Sequence, residues 1–259
     1  VKIQNPLSED YTIMKTTSVP TMMQMIANNH NYKNPEVKLF DLSRVYQNKN
    51  GAIEKGELPQ ENNVLTIGMY SKDEDFYTLK GLVENVLDVA GVARYDVKKE
   101  ENNQMYHPGR CANMKVGNDI IATFGEANPL LTKNYDITQR VLLAEIHLDK
   151  ITKYTRKSKK YTPITKFPAV ERDIAMVIDE KVEVGEIAKI IQKKSKKLLE
   201  EAKLFDVYRS EKLGENKKSV AYSLKFRVPD RTLKDEEVNS VMKEIVAELE
   251  KVLGAELRK

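Results

Sequence analysis

Toward the end of the chain the hydrophobic spacing changes in a regular order. Arg172–Asp179 is apolar enough for a strand. Val184–Lys203 then switches to helical spacing, with Ile187, Ile190, Ile191, Leu198 and Leu199 apolar opposite a lysine-rich side. Leu204–Ser210 returns to strand character, Glu211–Lys217 is a turn around Gly214, and Ser219–Val228 alternates with a period of two. Leu233–Leu253 is the clearest helix: Val238, Val241, Met242, Ile245, Val246, Leu249 and Leu253 recur at three or four positions. Thr232 and Asp235 offer a capping-box start, Asp235, Glu236 and Glu237 suit the positive end of the helix dipole, and Gly254 stops the helix. Ala255–Arg258 forms one short last strand. The order is βαββαβ, a ferredoxin-like, four-stranded antiparallel sheet with both helices on one face.

The earlier part, Val1–Leu148, reads as an α+β domain. Pro20 after Ser18 opens a methionine-rich helix to about His30, in which Met22, Met23 and Met25 are core packing. Val37–Gln47 and Val64–Tyr70 are strands. Leu79, Leu82, Val83, Val86, Leu87 and Ala90 mark an amphipathic helix ended by Gly91. Ala112–Val116 and Ile120–Gly125 flank a Gly117-Asn-Asp hairpin; Pro129–Tyr135 is a short helix and Val141–Leu148 a last strand. Helices interrupt these strands too irregularly for a doubly wound parallel sheet.

In the ferredoxin-like part the pleat decides which residues line the sheet face that carries no helix. Val220, Tyr222, Leu224 and Phe226 face the helices, as do Phe205, Val207, Ile174, Met176, Ile178 and Leu257. Asp173, Ala175, Val177, Asp206, Tyr208, Ser219, Ala221, Ser223, Lys225, Glu256 and Arg258 then face out. This face is small and polar around one ring, Tyr208. It reads either as a solvated surface or as a single-stranded RNA platform, where small residues leave room for bases and a ring stacks on one of them.

Composition places the chain among globular proteins: 259 residues, 41% hydrophobic and 32% charged, with no apolar run long enough to span a membrane. A net charge of +4 permits nucleic-acid binding without arguing for it. Single Cys111 excludes an internal disulfide framework and fits a reducing cytosol. Starting at Val1, without initiator methionine or signal pattern, the chain reads as a piece of a longer protein. His107 and Cys111 are four apart, but Pro108-Gly109 opposes a helix and no second ligand pair exists, so a metal site is not expected. A cysteine nucleophile with His107 lacks an orienting acid, and Asp73, Glu74 and Asp75 read as a solvated loop and helix cap. Phosphate-loop and dinucleotide fingerprints are absent from the sequence. Asp149–Lys166 is a basic linker. Its lysines Lys157, Lys159 and Lys160 are candidate phosphate contacts if it tracks RNA.

Several blocks carry a resemblance. Phe167-Pro-Ala-Val-Glu-Arg-Asp-Ile-Ala, Leu204-Phe-Asp-Val-Tyr-Arg, Lys217-Lys-Ser-Val-Ala-Tyr-Ser-Leu-Lys-Phe-Arg and Pro229-Asp-Arg-Thr-Leu closely resemble the ferredoxin-fold anticodon-binding domain that ends the β chain of bacterial phenylalanyl-tRNA synthetases. Asn5-Pro-Leu-Ser, Lys38-Leu-Phe-Asp-Leu-Ser-Arg-Val-Tyr, Asp75-Phe-Tyr-Thr-Leu-Lys-Gly, His107-Pro-Gly-Arg-Cys-Ala and Phe124-Gly-Glu-Ala-Asn-Pro resemble the catalytic-like domain before it. The resemblance implies a class II synthetase-like antiparallel sheet domain over 1–148, the linker over 149–166 and an anticodon-binding domain over 167–259. It implies a module that has lost its chemistry and pairs with a catalytic α chain. The ATP-gripping glycine-rich run ending in arginine does not occur after Gly117. By carry-over, Tyr208 stacks on an anticodon base, Asp206 bonds a base edge, Ala175 and Ser219 line base pockets, and Arg258 serves phosphate or base. The intact enzyme would be a cytoplasmic (αβ)₂ assembly joining phenylalanine to its tRNA with ATP and magnesium. This chain alone would be inactive, with no cofactor, DNA or membrane of its own. Two other readings stay open: a general single-stranded RNA-binding protein, which usually shows two or more rings on the open face, and a small-molecule-sensing regulatory domain.

Overall fold

The structure is a computed structural model that describes residues 1–48, 58–155, 161 and 163–258; all counts refer to these. Two compact units emerge, Val1–Lys160 and Tyr161–Lys259. The class is α+β with antiparallel sheets throughout, as expected. Among the described residues no helix is long and apolar enough to cross a membrane.

In the first unit helix α1 (Val19–Asn31) precedes β1 (Val37–Gln47) and β2 (Gln60–Tyr70). Helix α2 (Phe76–Val89), β3 (Asp96–Lys99), β4 (Tyr106–Val116) and β5 (Asp119–Ala127) follow. Short α3 (Pro129–Asn134), β6 (Leu142–His147) and α4 (Leu148–Ile151) complete it. The six strands form one sheet in the order β1-β2-β6-β5-β4-β3. Asp75 caps α2 by accepting from the backbone of Tyr77 and Thr78. Leu79, Val83 and Leu87 then bury against Phe124, Ala144 and Ile146. On the other face Met22, Met23 and Ile26 of α1 pack with Tyr70, Tyr106 and Leu143, so the methionines are core. Gly68 permits this approach, because a Cβ there would lie 2.4 Å from Met22 Cγ.

Several expectations need correction. β2 starts at Gln60, four residues before its apolar part, because the ladder with β1 continues beyond the core to Gln47–Gln60. β3 has one apolar residue, Val97, and exists through pairing with β4. His107–Arg110 lies inside β4 as a bulge: Tyr106 pairs with Ala127 and Cys111 with Gly125, leaving four residues opposite Glu126. Part of the expected linker folds onto this unit: Ile151 is buried, Lys150 donates to the Ile120 carbonyl, and Tyr154 donates to Asp119.

The second unit runs β7 (Val170–Asp179), α5 (Val184–Ser195), β8 (Leu199–Tyr208), β9 (Lys217–Phe226), α6 (Asp235–Leu253) and β10 (Glu256–Leu257), with sheet order β10-β7-β9-β8. This is the ferredoxin-like order. Ile174, Met176, Ile178, Val220, Tyr222, Leu224 and Phe226 meet Ile187, Ile191, Val238, Val241, Ile245 and Leu249 in the core. Helix α5 stops eight residues earlier than its apolar spacing predicts. Lys196 turns the chain at φ 56°, and Leu199 instead pairs with Phe226. Strand pairing along β9 outweighs the local helical pattern. Helix α6 starts at Asp235, not Leu233, and its cap is not Thr232: the Glu237 carboxylate accepts from the Lys234 N–H at 3.0 Å. Leu233 and Val238, flanking that cap, both enter the core as a hydrophobic staple. Leu257 is opposite Met176 on the helix side, yet 49% exposed at the sheet edge.

Candidate nucleic-acid interface

Register assembles the open face of the second sheet in rows. Val177, Ser219 and Tyr208 lie side by side; Ala175, Ala221 and Asp206 form the next row, and Asp173, Ser223 and Lys203 the third. The five residues singled out on sequence grounds therefore converge. Ala175 comes from β7, Asp206 and Tyr208 from β8, Ser219 from β9, and Arg258 follows β10.

Arg258 ties them together. Its backbone N–H donates to the Ala175 carbonyl at 2.9 Å, and its Nη1 donates to Ser219 Oγ at 3.4 Å. The guanidinium carbon sits 5.7 Å from the centroid of the Tyr208 ring, a cation–π contact on a side chain that is 46% exposed. Ser219 and Ala221 are buried although their side chains point away from the helices. Ser219 lies under Arg258 and beside Tyr208, so a base reaches its hydroxyl only after the guanidinium moves aside. Among the described residues Arg258 forms no ion pair and the Asp206 carboxylate no hydrogen bond, which leaves a cation and a carboxylate for a ligand. Neighbouring charges are engaged: Arg209 with Glu180 at 2.8 Å and Lys217 with Glu256 at 2.7 Å.

The expected inward position of Phe205 is wrong. Leu204 pairs with Tyr222 and Asp206 with Ala221, so a bulge gives Phe205 no partner of its own. Leu204 and Val207 take the core side opposite Tyr222 and Val220, and Phe205 is 55% exposed outside the core. The open face thus gains a second ring. Its signal in the sequence is the apolar pair Leu204-Phe205, which breaks the period of two.

Other candidates resolve differently. Lys157, Lys159 and Lys160 lie outside the described residues. On the helix side, Lys194 pairs with Glu248 at 2.8 Å and Lys196 with Glu244 at 3.5 Å, which ties part of the lysine face to α6. Burial pushes the Cys111 thiol up to about 12, so it carries no thiolate near neutral pH. His107 Nδ1 accepts from the Gly109 N–H at 3.0 Å inside the bulge. Among the described residues no group of three His, Cys, Asp or Glu is placed to hold a metal.

The first sheet does not present a site for ATP. Thr66, Glu145, Thr123 and Asn113 form a polar row across β2, β6, β5 and β4. Thr17 Oγ1 donates to Glu145 at 2.6 Å, the Ser18 N–H donates to the same oxygen, and Thr123 donates to Asn113. Two arginines of this sheet, Arg44 on β1 and Arg110 on β4, are paired with Glu61 and Glu126 at 2.8 and 2.7 Å. The row carries a carboxylate, Glu145, already held by Thr17 and Ser18, and the two arginines are paired. Although Thr66 Oγ1 has no hydrogen-bond partner among the described residues, this set does not fit a nucleotide triphosphate.

Comparisons with known proteins agree with these two units. Residues 1–148 match the phenylalanyl tRNA synthetase beta chain CLM domain, and residues 165–258 match the ferredoxin-fold anticodon binding domain. The whole chain is 42% identical to the phenylalanine–tRNA ligase beta subunit of Clostridium tetani and 40% identical to that of Clostridium acetobutylicum, covering 32% of each. With the Fusobacterium nucleatum subunit it shares 35% identity over 100% of this chain and 34% of that relative. The chain spans about a third of the length of these relatives. With both domain matches and identity along its full length, the chain belongs to the phenylalanyl-tRNA synthetase β chain family.

Proposed function

We propose that this chain works within a phenylalanine–tRNA ligase β subunit, where the second unit binds the tRNA anticodon and the first serves assembly with a catalytic α chain. The intact cytoplasmic enzyme, an (αβ)₂ heterotetramer, attaches phenylalanine to its tRNA using ATP and magnesium. The chemistry belongs to the α chain, and the engagement of Glu145 by Thr17 and Ser18, with Arg44 and Arg110 held in ion pairs, supports that division. The domain division proposed is 1–148, 149–166 and 167–259.

One observation carries the anticodon reading: Ala175, Asp206, Tyr208, Ser219 and Arg258 meet on one face that no helix covers. Tyr208 offers a π face, Asp206 an acceptor for base N–H groups, and Arg258 a donor for phosphate or base. Ala175 leaves space at the floor, and Ser219 adds to it once the Arg258 guanidinium moves aside. Lys157, Lys159 and Lys160 add backbone contacts.

Filter binding with phenylalanine tRNA and anticodon-substituted versions tests this. Asp206→Ala should relax discrimination at one anticodon base more than it lowers affinity, because the carboxylate selects donors and repels phosphate. If Asp206→Ala and Tyr208→Ala both bind every tRNA as the parent does, the open face is not the reader.

A further inference from the structure

We propose that Phe205 is a second stacking platform on the open face, taking a nucleobase of the anticodon loop next to the one held at Tyr208. This rests on the anticodon reading above and extends it from one ring to two. The bulge is the device that makes it. A regular strand from Leu204 to Tyr208 would put positions 205 and 208 on opposite faces, so with Val207 inward and Tyr208 outward Phe205 would enter the core. One extra residue between the Leu204–Tyr222 and Asp206–Ala221 pairs resolves the conflict, and Phe205 joins Asp206 opposite Ala221. Bulges recur where a side chain must be re-aimed beside a functional site.

The surroundings suit a base. Phe205 and Tyr208 stand on the edge strand, at most about 10 Å apart along it at strand rise. Beside them Ala221 and Ser219 on β9 and Ala175 on β7 present no bulk. The carboxylate of Asp206, between the two rings in sequence and on the same face, has no hydrogen-bond partner among the described residues and is left to accept from a base edge. A phenylalanine has no hydroxyl to satisfy and no partner on this face. What it offers here is a flat apolar surface, and every base has a face to match it.

The test uses the assembled synthetase containing this chain and phenylalanine tRNA carrying 2-aminopurine at single anticodon-loop positions. The fluorescence of this base falls when it stacks. Phe205→Ala should restore fluorescence at one loop position and weaken binding roughly five- to tenfold, the lower end for base stacking. Tyr208→Ala should restore it at a different position. Phe205→Leu, which keeps apolar bulk without a π face, should behave as the alanine variant does, whereas Phe205→Tyr should bind as the parent. Melting temperatures should match throughout, because the ring is half-exposed; if Phe205→Ala melts early, Phe205→Leu carries the comparison. Unaltered affinity and fluorescence in Phe205→Ala, with Tyr208→Ala weakened, would overturn the second platform and leave the first. Unaltered binding in both would remove the anticodon reading and this proposal together.

Discussion

Tyr208 and Arg258 form a pair whose coupling should differ between the free and the tRNA-bound protein, and a double-mutant cycle measures that difference. In the free protein the guanidinium lies 5.7 Å from the ring centroid, and an exposed cation–π contact is worth about 0.5–1 kcal/mol. The hydrogen bond to Ser219 is long at 3.4 Å and adds little. The backbone bond from residue 258 to the Ala175 carbonyl survives any substitution except proline. Tyr208→Ala and Arg258→Ala should therefore each cost about 1 kcal/mol of stability or less, with a coupling of about 0.5–1 kcal/mol. Binding responds more. A base stacked on Tyr208 contributes about 1–3 kcal/mol, so Tyr208→Ala should weaken tRNA binding roughly 5- to 150-fold. Tyr208→Phe should keep most of this. Part of the stack depends on Arg258, because a ring already held in place loses less rotational freedom when the base arrives. Arg258→Ala should then lower affinity roughly tenfold, and the double variant should fall short of the product of the two losses. Stability is read by circular dichroism in urea, since the chain has no tryptophan, and affinity by filter binding. Binding losses that add within about 0.3 kcal/mol, with no stability coupling, would refute the idea that the guanidinium positions the ring.

Gly125→Ala should destabilise the first unit by about 3 kcal/mol or more, because the new Cβ would fall 2.2 Å from the Arg110 carbonyl oxygen and 2.8 Å from Cys111 Cα, where no rotamer can give way. Faster amide exchange in β4 and β5, with exchange at Ile174 and Met176 unchanged, is the expected result, and parental exchange throughout would contradict it. The Arg231 guanidinium and the Lys234 N–H hold the Glu237 carboxyl down at about 2, from 4.5. A depressed folded pKa contributes stability that is present above pH 4.5 and lost as the pH falls through the folded value. Glu237→Gln should accordingly flatten the acid limb of second-unit stability between about pH 4.5 and 2. An acid limb like the parent's would show that the Arg231 pair does not link protonation to folding.

What could be read in advance was whatever a period controls. The inward face of β9 and the apolar seam of α6 emerge from spacing alone, because apolar residues recur there at the period of the element, although burial itself does not alternate along β9. The end of α5 does not. Leu198 and Leu199 continue the helical spacing, but β9 needs a partner as long as itself, and that demand comes from residues far along the chain. The bulge at Phe205 escaped for a related reason: alternation assumes one residue per step, and pairing across β8 and β9 breaks that rule twice, between Leu199 and Glu201 and again between Leu204 and Asp206. The α6 cap shows the limit of motif matching, since Thr232 fits the motif yet Glu237 makes the bond. In the candidate site Asp206 and Tyr208 were placed outward by parity, but the position of Arg258 over the Tyr208 ring is a contact between strand ends that no spacing encodes. Placing Phe205 inward carried parity one residue past the point where it held.

Strand β10 is only two residues long, yet it joins the end of the second unit to its first strand, pairing Leu257 with Met176. Closing a loop of that length costs conformational entropy before the short pairing returns anything. Gly254, in the left-handed conformation, turns the chain straight from α6 into this pairing and shortens the search. A half-exposed leucine and a few backbone bonds hold this rung, so it is among the cheapest parts of the sheet to open. Arg258 follows directly. Fraying of this one short rung would release the cation of the open face and uncover the Ser219 hydroxyl while the rest of the sheet stays paired.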